Sequence, residues 1–177
     1  MKNWLTKGLV IAILLQGLIL IGMYARASLP LWIGTEIRVK TQPVDPRSLF
    51  RGNYARLRYD FSTIPYDEFM ADAALRNGEK VYISLQKNAS GLYEYADAWL
   101  EEPEEGIYLR GRVEQRRYTS ARGPVRIKYG IEAYFAPKEK ALALEKELRD
   151  GGVAVLMVGD DGHARIKAVV SNGGGEQ

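Results

Sequence analysis

The stretch at residues 45–60, DPRSLFRGNYARLRYD, decides how the rest of the chain reads. Its second half alternates. Ala55, Leu57, Tyr59 and, one step on, Phe61 fall on one side of an extended chain, with Tyr54, Arg56, Arg58 and Asp60 on the other. Successive strand side chains point to opposite faces, so this is a strand with one face to bury. The first half is turn chemistry: Pro43, Asp45-Pro46 and Gly52-Asn53. Proline presets one backbone angle, glycine permits angles that a side chain forbids, and Asn or Asp bonds a nearby amide. Arg47, Arg51, Arg56 and Arg58 add positive charge that a turn does not require. A catalytic loop, an anion clamp and a partner surface all remain open for them.

Strand patterns continue on both sides. Upstream, TEIRVKT at residues 35–41 sets Ile37 and Val39 against Arg38 and Lys40. Downstream, strands are predicted over 80–86, 92–100, 106–118, 124–136, 153–158 and 163–170. A turn at 159–162, GDDG, joins the last pair as a hairpin. Residues 65–76, PYDEFMADAALR, carry a weak helical stripe of Phe69, Ala73 and Leu75. Residues 138–149, KEKALALEKELR, predict a second helix, with Pro137 at its start and Gly151-Gly152 at its end. The fold class is therefore α+β, mainly antiparallel and β-rich, with about seven or eight strands.

The N-terminus is of another kind. Residues 8–25, GLVIAILLQGLILIGMYA, carry no charge. About 18 to 21 helical residues span about 27–32 Å, close to the hydrocarbon thickness of a bilayer. Lys2 and Lys7 precede the run, which favours a cytoplasmic N-terminus and a domain on the extracytoplasmic, periplasmic side. Ala25-Arg26-Ala27 has the small-x-small form of a signal-peptide cleavage site. The long apolar run, followed directly by Arg26, favours an uncleaved anchor over cleavage. The organisation is then an anchor at 1–27, a juxtamembrane linker at 28–34, the β-rich domain at 35–170 and a tail at 171–177. The lipid bilayer is the first expected partner, through residues 8–25.

Charge removes several function classes. The net charge is +3, and the excess lies in Lys2, Lys7 and Arg26. From Ala27 onward acids and bases balance, so the domain has no overall basic footprint for nucleic acid. Within it, residues 61–105 are acid-rich and 106–128 base-rich, which fits either strands that face each other or opposed surface patches. There is no cysteine, so disulfides, thiol nucleophiles and Cys-ligated metals are excluded. The one histidine, His163, reads as a surface residue at a hairpin exit, without a second imidazole to share a metal. No metal and no cofactor is expected. Eleven tyrosines, among them Tyr82, Tyr95, Tyr108, Tyr129 and Tyr134, suit cross-strand packing or a ligand groove.

The stretch Gly52-Asn53-Tyr54-Ala55-Arg56-Leu57-Arg58-Tyr59 closely resembles the motif for which the GDYXXLXY family is named. Asn53 stands where that motif has Asp; every other fixed position agrees. The lead-in VDPRSLFRG, the apolar N-terminus, the late YGIEAYF segment and the final RIKAVV segment resemble the family too. The resemblance implies a bacterial membrane-anchored protein and no particular reaction. Its relatives often occur beside, or fused to, polytopic membrane proteins, which implies an accessory or interaction role.

The candidate site is the motif and its approach: Asp45, Arg47, Arg51, Gly52, Asn53, Tyr54, Arg56, Leu57, Arg58 and Tyr59. Leu57 and Tyr59 are expected to point inward and fix the strand register. If the motif's Asp only holds a turn, Asn53 does the same without charge. If that Asp is an acid, a base or a partner of Arg47 or Arg51, Asn53 has lost the role. This weighs against catalysis, and no catalytic residue is assigned. Two alternatives stay open. One is a module binding envelope polyanions or lipid head groups through Arg38, Lys40 and the arginines of the motif region. Its plainer counterpart is a solvated strand face on which Glu36 and Asp60 pair with the arginines. The other is a Ser-Lys hydrolase resembling signal peptidases, with Ser48 as nucleophile and Lys80 as base. Ser48 lies too close to Gly52 for that pattern, and the Met and Pro expected after such a serine are missing.

Overall fold

The computed structural model describes residues 2–42, 54–69, 75–114, 123–135 and 151–171. Helix α1 (Lys2–Ile33) opens the chain. Its apolar span, Thr6–Leu29, is long and apolar enough to cross a membrane, and the most apolar stretch of it is not buried inside the protein. The helix continues without a break through most of residues 28–34, the segment read as a linker. The reason is local: Leu29, Leu31, Trp32 and Ile33 extend the apolar composition, and the first strand-type alternation begins only at Thr35.

The strands are β1 (Thr35–Gln42), β2 (Tyr54–Arg56), β3 (Arg58–Tyr59), β4 (Thr63–Ile64), β5 (Lys80–Lys87), β6 (Tyr93–Trp99), β7 (Ile107–Val113), β8 (Val125–Lys128), β9 (Ala133–Phe135), β10 (Gly152–Val158) and β11 (Ala164–Ser171). A 3-10 turn at Asp60–Ser62 joins β3 to β4, and another at Tyr66–Phe69 follows β4. The second replaces the start of the predicted 65–76 helix. Residues 70–74, in the middle of that prediction, lie outside the described residues. The helix predicted at 138–149 lies wholly outside them.

The main sheet has nine strands in the order β11-β10-β1-β6-β5-β7-β8-β4, with β3 also paired to β1. Pairing is antiparallel throughout except where Val39 of β1 meets Tyr93 of β6 in parallel. An α+β, mainly antiparallel domain is what the sequence predicts. The unexpected feature is closure. From β1 the pairing runs through β6, β5, β7 and β8 to β4. Strand β4 connects through the Asp60–Ser62 turn to β3, and β3 pairs with β1 at Thr41↔Tyr59. The circuit thus returns to its start through three turn residues, and that turn touches β1, β6 and β8. Closure leaves fewer unpaired strand edges.

The interior of this circuit is apolar. Val39, Tyr59, Phe61, Ile64, Val81, Ile83, Leu109, Val113, Val125 and Ile127 are all buried in one core. Opposite faces of the same strands are wet: β1 and β8 alternate strictly between buried and exposed positions over most of their lengths. Strand β10 differs, for it lies between β1 and β11 and is buried almost along its whole length, and its sequence GVAVLMV is accordingly a continuous apolar run.

The β10–β11 hairpin returns to the circuit at its tip. The Arg110 amide of β7 donates to the Gly162 carbonyl at 2.8 Å. Gly162 has φ +73°, and a Cβ there would stand 2.6 Å from the Tyr108 ring and 2.9 Å from the Arg110 nitrogen. Gly106 also has positive φ, +93°, but faces open space. Both glycines therefore relieve backbone strain, and only Gly162 also permits close approach. Gly162→Ala is expected to cost about 2–4 kcal/mol, against ~1 kcal/mol for Gly106→Ala. Urea unfolding of the two variants checks this; equal losses would contradict the close-approach role.

Candidate functional site

The motif strand does not run straight. It breaks at Leu57, where the backbone turns from one partner to another. Tyr54–Arg56 pairs with Ala133–Phe135 in a separate two-stranded ribbon. Arg58 and Tyr59 pair with β1. Between them the Leu57 amide donates to the Glu132 carbonyl at 2.8 Å. Alternation persists through the break: Leu57, Tyr59 and Phe61 are buried, while Arg56, Arg58 and Asp60 are exposed.

Tyr59 is the centre of the motif's packing, with 1% of its surface exposed. Its hydroxyl donates to the Ile131 carbonyl at 2.8 Å. Its amide donates to the Ser62 hydroxyl at 3.0 Å, which holds the 3-10 turn. Tyr129 answers from the other side: its hydroxyl donates to the Phe61 carbonyl at 2.6 Å. Phe61 lies between the two rings, stacked on Tyr59 with centroids 5.2 Å apart and edge-on to Tyr129 at 5.5 Å. Two segments distant in sequence thus each supply a tyrosine to the other's backbone.

The second segment, residues 129–132 (YGIE), is shaped for this. Gly130 takes φ +86°, which bends the chain between β8 and β9. Glu132 folds back, and its carboxylate accepts from the Tyr129 amide at 2.5 Å and the Gly130 amide at 3.0 Å. The bend exposes the Ile131 and Glu132 carbonyls to Tyr59 and Leu57. The single strand predicted over 124–136 is therefore two. Burial, and secondarily the nearby Glu132 carboxylate, pushes both tyrosine hydroxyls well above the ordinary tyrosine range. They remain protonated donors at any physiological pH, as a structural clasp requires and proton transfer does not.

The other sequence-predicted residues divide. Asp45, Arg47, Ser48, Arg51, Gly52 and Asn53 lie outside the described residues, as do the bases of segment 115–122. Tyr54 takes part through its backbone, opposite Phe135. The partners of Glu36 and Asp60 are only partly those expected: the Arg38 charge acts on Glu36, but the contacts made are others. Glu36 pairs with Lys167 at 2.6 Å, and Asp60 accepts from the Gln42 amide group at 2.7 Å. Strand order explains this, because β11 and β1 flank β10 and bring Lys167 beside Glu36. Lys80 is exposed at the start of β5, and in register Arg112 stands between Lys80 and Lys128. The base-rich segment therefore lines up with a further base across β5, β7 and β8, and Arg112 donates to the Gly78 carbonyl at 2.9 Å.

His163 is exposed at the hairpin exit, with Arg110 donating to its Nδ1 and Asp161 nearby. Partial desolvation of the ring, then the Arg110 charge, holds its pKa below the usual histidine value. Among the described residues no group of three or more His, Asp or Glu side chains converges as a metal site would.

Sequence reasoning missed Tyr129, Gly130 and Glu132. A signal was present: a glycine inside a strand pattern marks a bend or close approach, and an acid two residues later is placed to bond the amides of that bend.

A closed β-rich domain carried on one long apolar helix, its motif turned inward as a clasp and its arginines outward, is the class these features define. The chain belongs to the GDYXXLXY family: the model described as GDYXXLXY protein matches residues 16–169. No curated protein and no solved structure matches the chain.

The clasp predicts a graded series. Tyr59→Phe keeps the ring and leaves the Ile131 carbonyl without its donor, an expected loss of about 1–2 kcal/mol. Tyr59→Ala also opens a cavity, for about 3–5 kcal/mol. Arg58→Gln, on the exposed face, is expected to stay within about 0.5 kcal/mol of the parent. Denaturant unfolding measures all three, and a neutral Tyr59→Phe would remove the clasp from the account.

Proposed function

We propose that this protein is a single-pass, membrane-anchored domain on the extracytoplasmic side that serves as an accessory subunit of a polytopic membrane protein, without chemistry of its own. The observation that carries the reading is α1. A helix that is apolar on all sides, and exposed along most of its length, is matched to lipid rather than water. Lys2 and Lys7 before the apolar span support a cytoplasmic N-terminus.

The motif supports a scaffold role. Its buried tyrosine is used up in holding the Ile131 carbonyl, while Arg56 and Arg58 face outward beside the small β2–β9 ribbon. Exposed arginines on rigid strands suit a polar interface with another protein, since their planar donors give orientation as well as charge. The family resemblance, with relatives beside polytopic membrane proteins, favours such a partner over a soluble one.

Affinity purification of the full chain from its native membrane in mild detergent, read by mass spectrometry, tests the reading. A stoichiometric polytopic protein, lost from Arg56→Glu/Arg58→Glu preparations that remain folded, is the expected result. Recovery of the chain alone would overturn the accessory role. The absence of native cysteine makes orientation equally accessible: Ser90→Cys, in an exposed turn, is expected to react with an impermeant maleimide in cells whose outer envelope has been opened.

A further inference from the structure

The end of α1 does not hang free of the domain. The helix lies against β10 and β11, with Ala25 and Ser28 half-buried. Arg165 of β11 donates from Nε to the Ala27 carbonyl at 3.2 Å. Ala27 is inside the apolar span Thr6–Leu29, not beyond it. Apolar side chains also continue past the docking point: Leu29, Leu31, Trp32 and Ile33 are all exposed, Trp32 by 69%.

Length fixes what this means in a bilayer. The 24 residues of the span reach about 36 Å at ~1.5 Å each, against ~30 Å of hydrocarbon. With the start of the span at the opposite interface and little tilt, the last turn or so lies among the head groups, where tryptophan is favoured. A domain docked at Ala27 is held against the membrane surface, and the charges beside Ala27 sit at head-group depth.

Those charges are mainly positive. Arg26 precedes Ala27 on the helix, and Arg165 binds its carbonyl. Arg110 reaches the same hairpin tip from β7, contacting His163 and lying 3.3 Å from Asp161. The Arg26, Arg110 and Arg165 charges all disfavour protonation of His163, and Asp161 opposes them. Around His163 three arginine charges stand against that of Asp161, while Glu102 and Asp160 lie on the Tyr108 side of the tip, so the cationic side is the one toward the helix exit. Guanidinium groups match phosphate oxygens in geometry, and arginine stems extend along apolar surface while the charged head reaches the interface.

We propose that Arg26, Arg110 and Arg165 seat the phosphate of an anionic phospholipid where α1 leaves the bilayer, fixing the orientation of the domain on the membrane. The proposal rests on the membrane-crossing reading of α1, and it moves lipid contact away from the motif arginines to the helix exit. The bound group is a lipid phosphate, because the site lies beside apolar side chains that acyl chains would cover.

The test uses the full chain in nanodiscs of phosphatidylcholine, with or without phosphatidylglycerol. Resistance to carbonate extraction first confirms insertion; an extractable protein would contradict the membrane reading itself. For inserted protein, native mass spectrometry is expected to show retained phosphatidylglycerol over phosphatidylcholine. Arg26→Gln and Arg165→Gln are each expected to lower that preference roughly fivefold. Arg165→Lys keeps the charge and should keep most of the preference, whereas Lys128→Gln, away from the helix exit, should leave it unchanged. Arg26 lies on the helix, so its variant reads lipid contact without risk to the domain core. Equal retention of both lipids would overturn the proposal, as would a preference that survives Arg26→Gln and Arg165→Gln. Equal protection by soluble glycerol phosphate would also overturn it, by making the seat one for free anions.

Discussion

Two hydrogen bonds, Tyr59 to the Ile131 carbonyl and Tyr129 to the Phe61 carbonyl, hold two short irregular segments of the domain to each other. Each is a buried hydroxyl on a buried carbonyl, so neither group has water as an alternative partner. Losing such a partner costs about 1–3 kcal/mol, more than the bond contributes when both ends are satisfied. The rings around them, Tyr59, Phe61 and Tyr129, add contacts worth about 0.5–1.5 kcal/mol per pair beyond their buried area. This clasp lets a chain of short strands close on itself. Strands β3 and β4 are only two residues each and could not hold the circuit shut by ladder bonds alone.

Closure in turn sets what faces outward. With Leu57, Tyr59 and Phe61 committed to the core, Arg56, Arg58 and Asp60 are directed away from it by the pleat. The same logic places Lys80, Arg112 and Lys128 abreast on the outer face of β5, β7 and β8, where like charges in register work against the sheet. On the far side, the β10–β11 hairpin bonds β7 at its tip and receives the end of α1. Among the described residues the helix thus packs on that hairpin, and the proposed lipid seat sits at the joint.

The sequence made some of this legible and hid the rest for physical reasons. Alternation at residues 54–61 was enough to predict a buried Leu57–Tyr59–Phe61 face, because strand periodicity is local. The antiparallel, β-rich class followed from hairpin turns such as GDDG at 159–162. Closure was not legible. It depends on Tyr59 meeting Ile131 and on Thr41 pairing with both Gly152 and Tyr59, contacts between residues far apart in the chain. The strand breaks at Leu57 and Gly130 were hidden for the same reason: each serves a partner that periodicity cannot name. The helix ran to Ile33 because apolar composition suits a linker and a helix equally. For the candidate site, the inward role of Tyr59 was readable, its tyrosine counterpart was not, and the turn with Arg47, Arg51, Gly52 and Asn53 lies outside the described residues.

The claim that the motif closes the sheet is tested most directly by hydrogen exchange of the full-length protein, followed by mass spectrometry. Peptides covering 57–64 and 125–131 are the informative ones. If the clasp closes the circuit, their amides exchange together and nearly as slowly as those of central strand β5, since all open only with the core. Exchange of 57–64 at the rate of the exposed turn at 88–91, while β5 and β7 stay protected, would show an open sheet with the motif as a loop upon it.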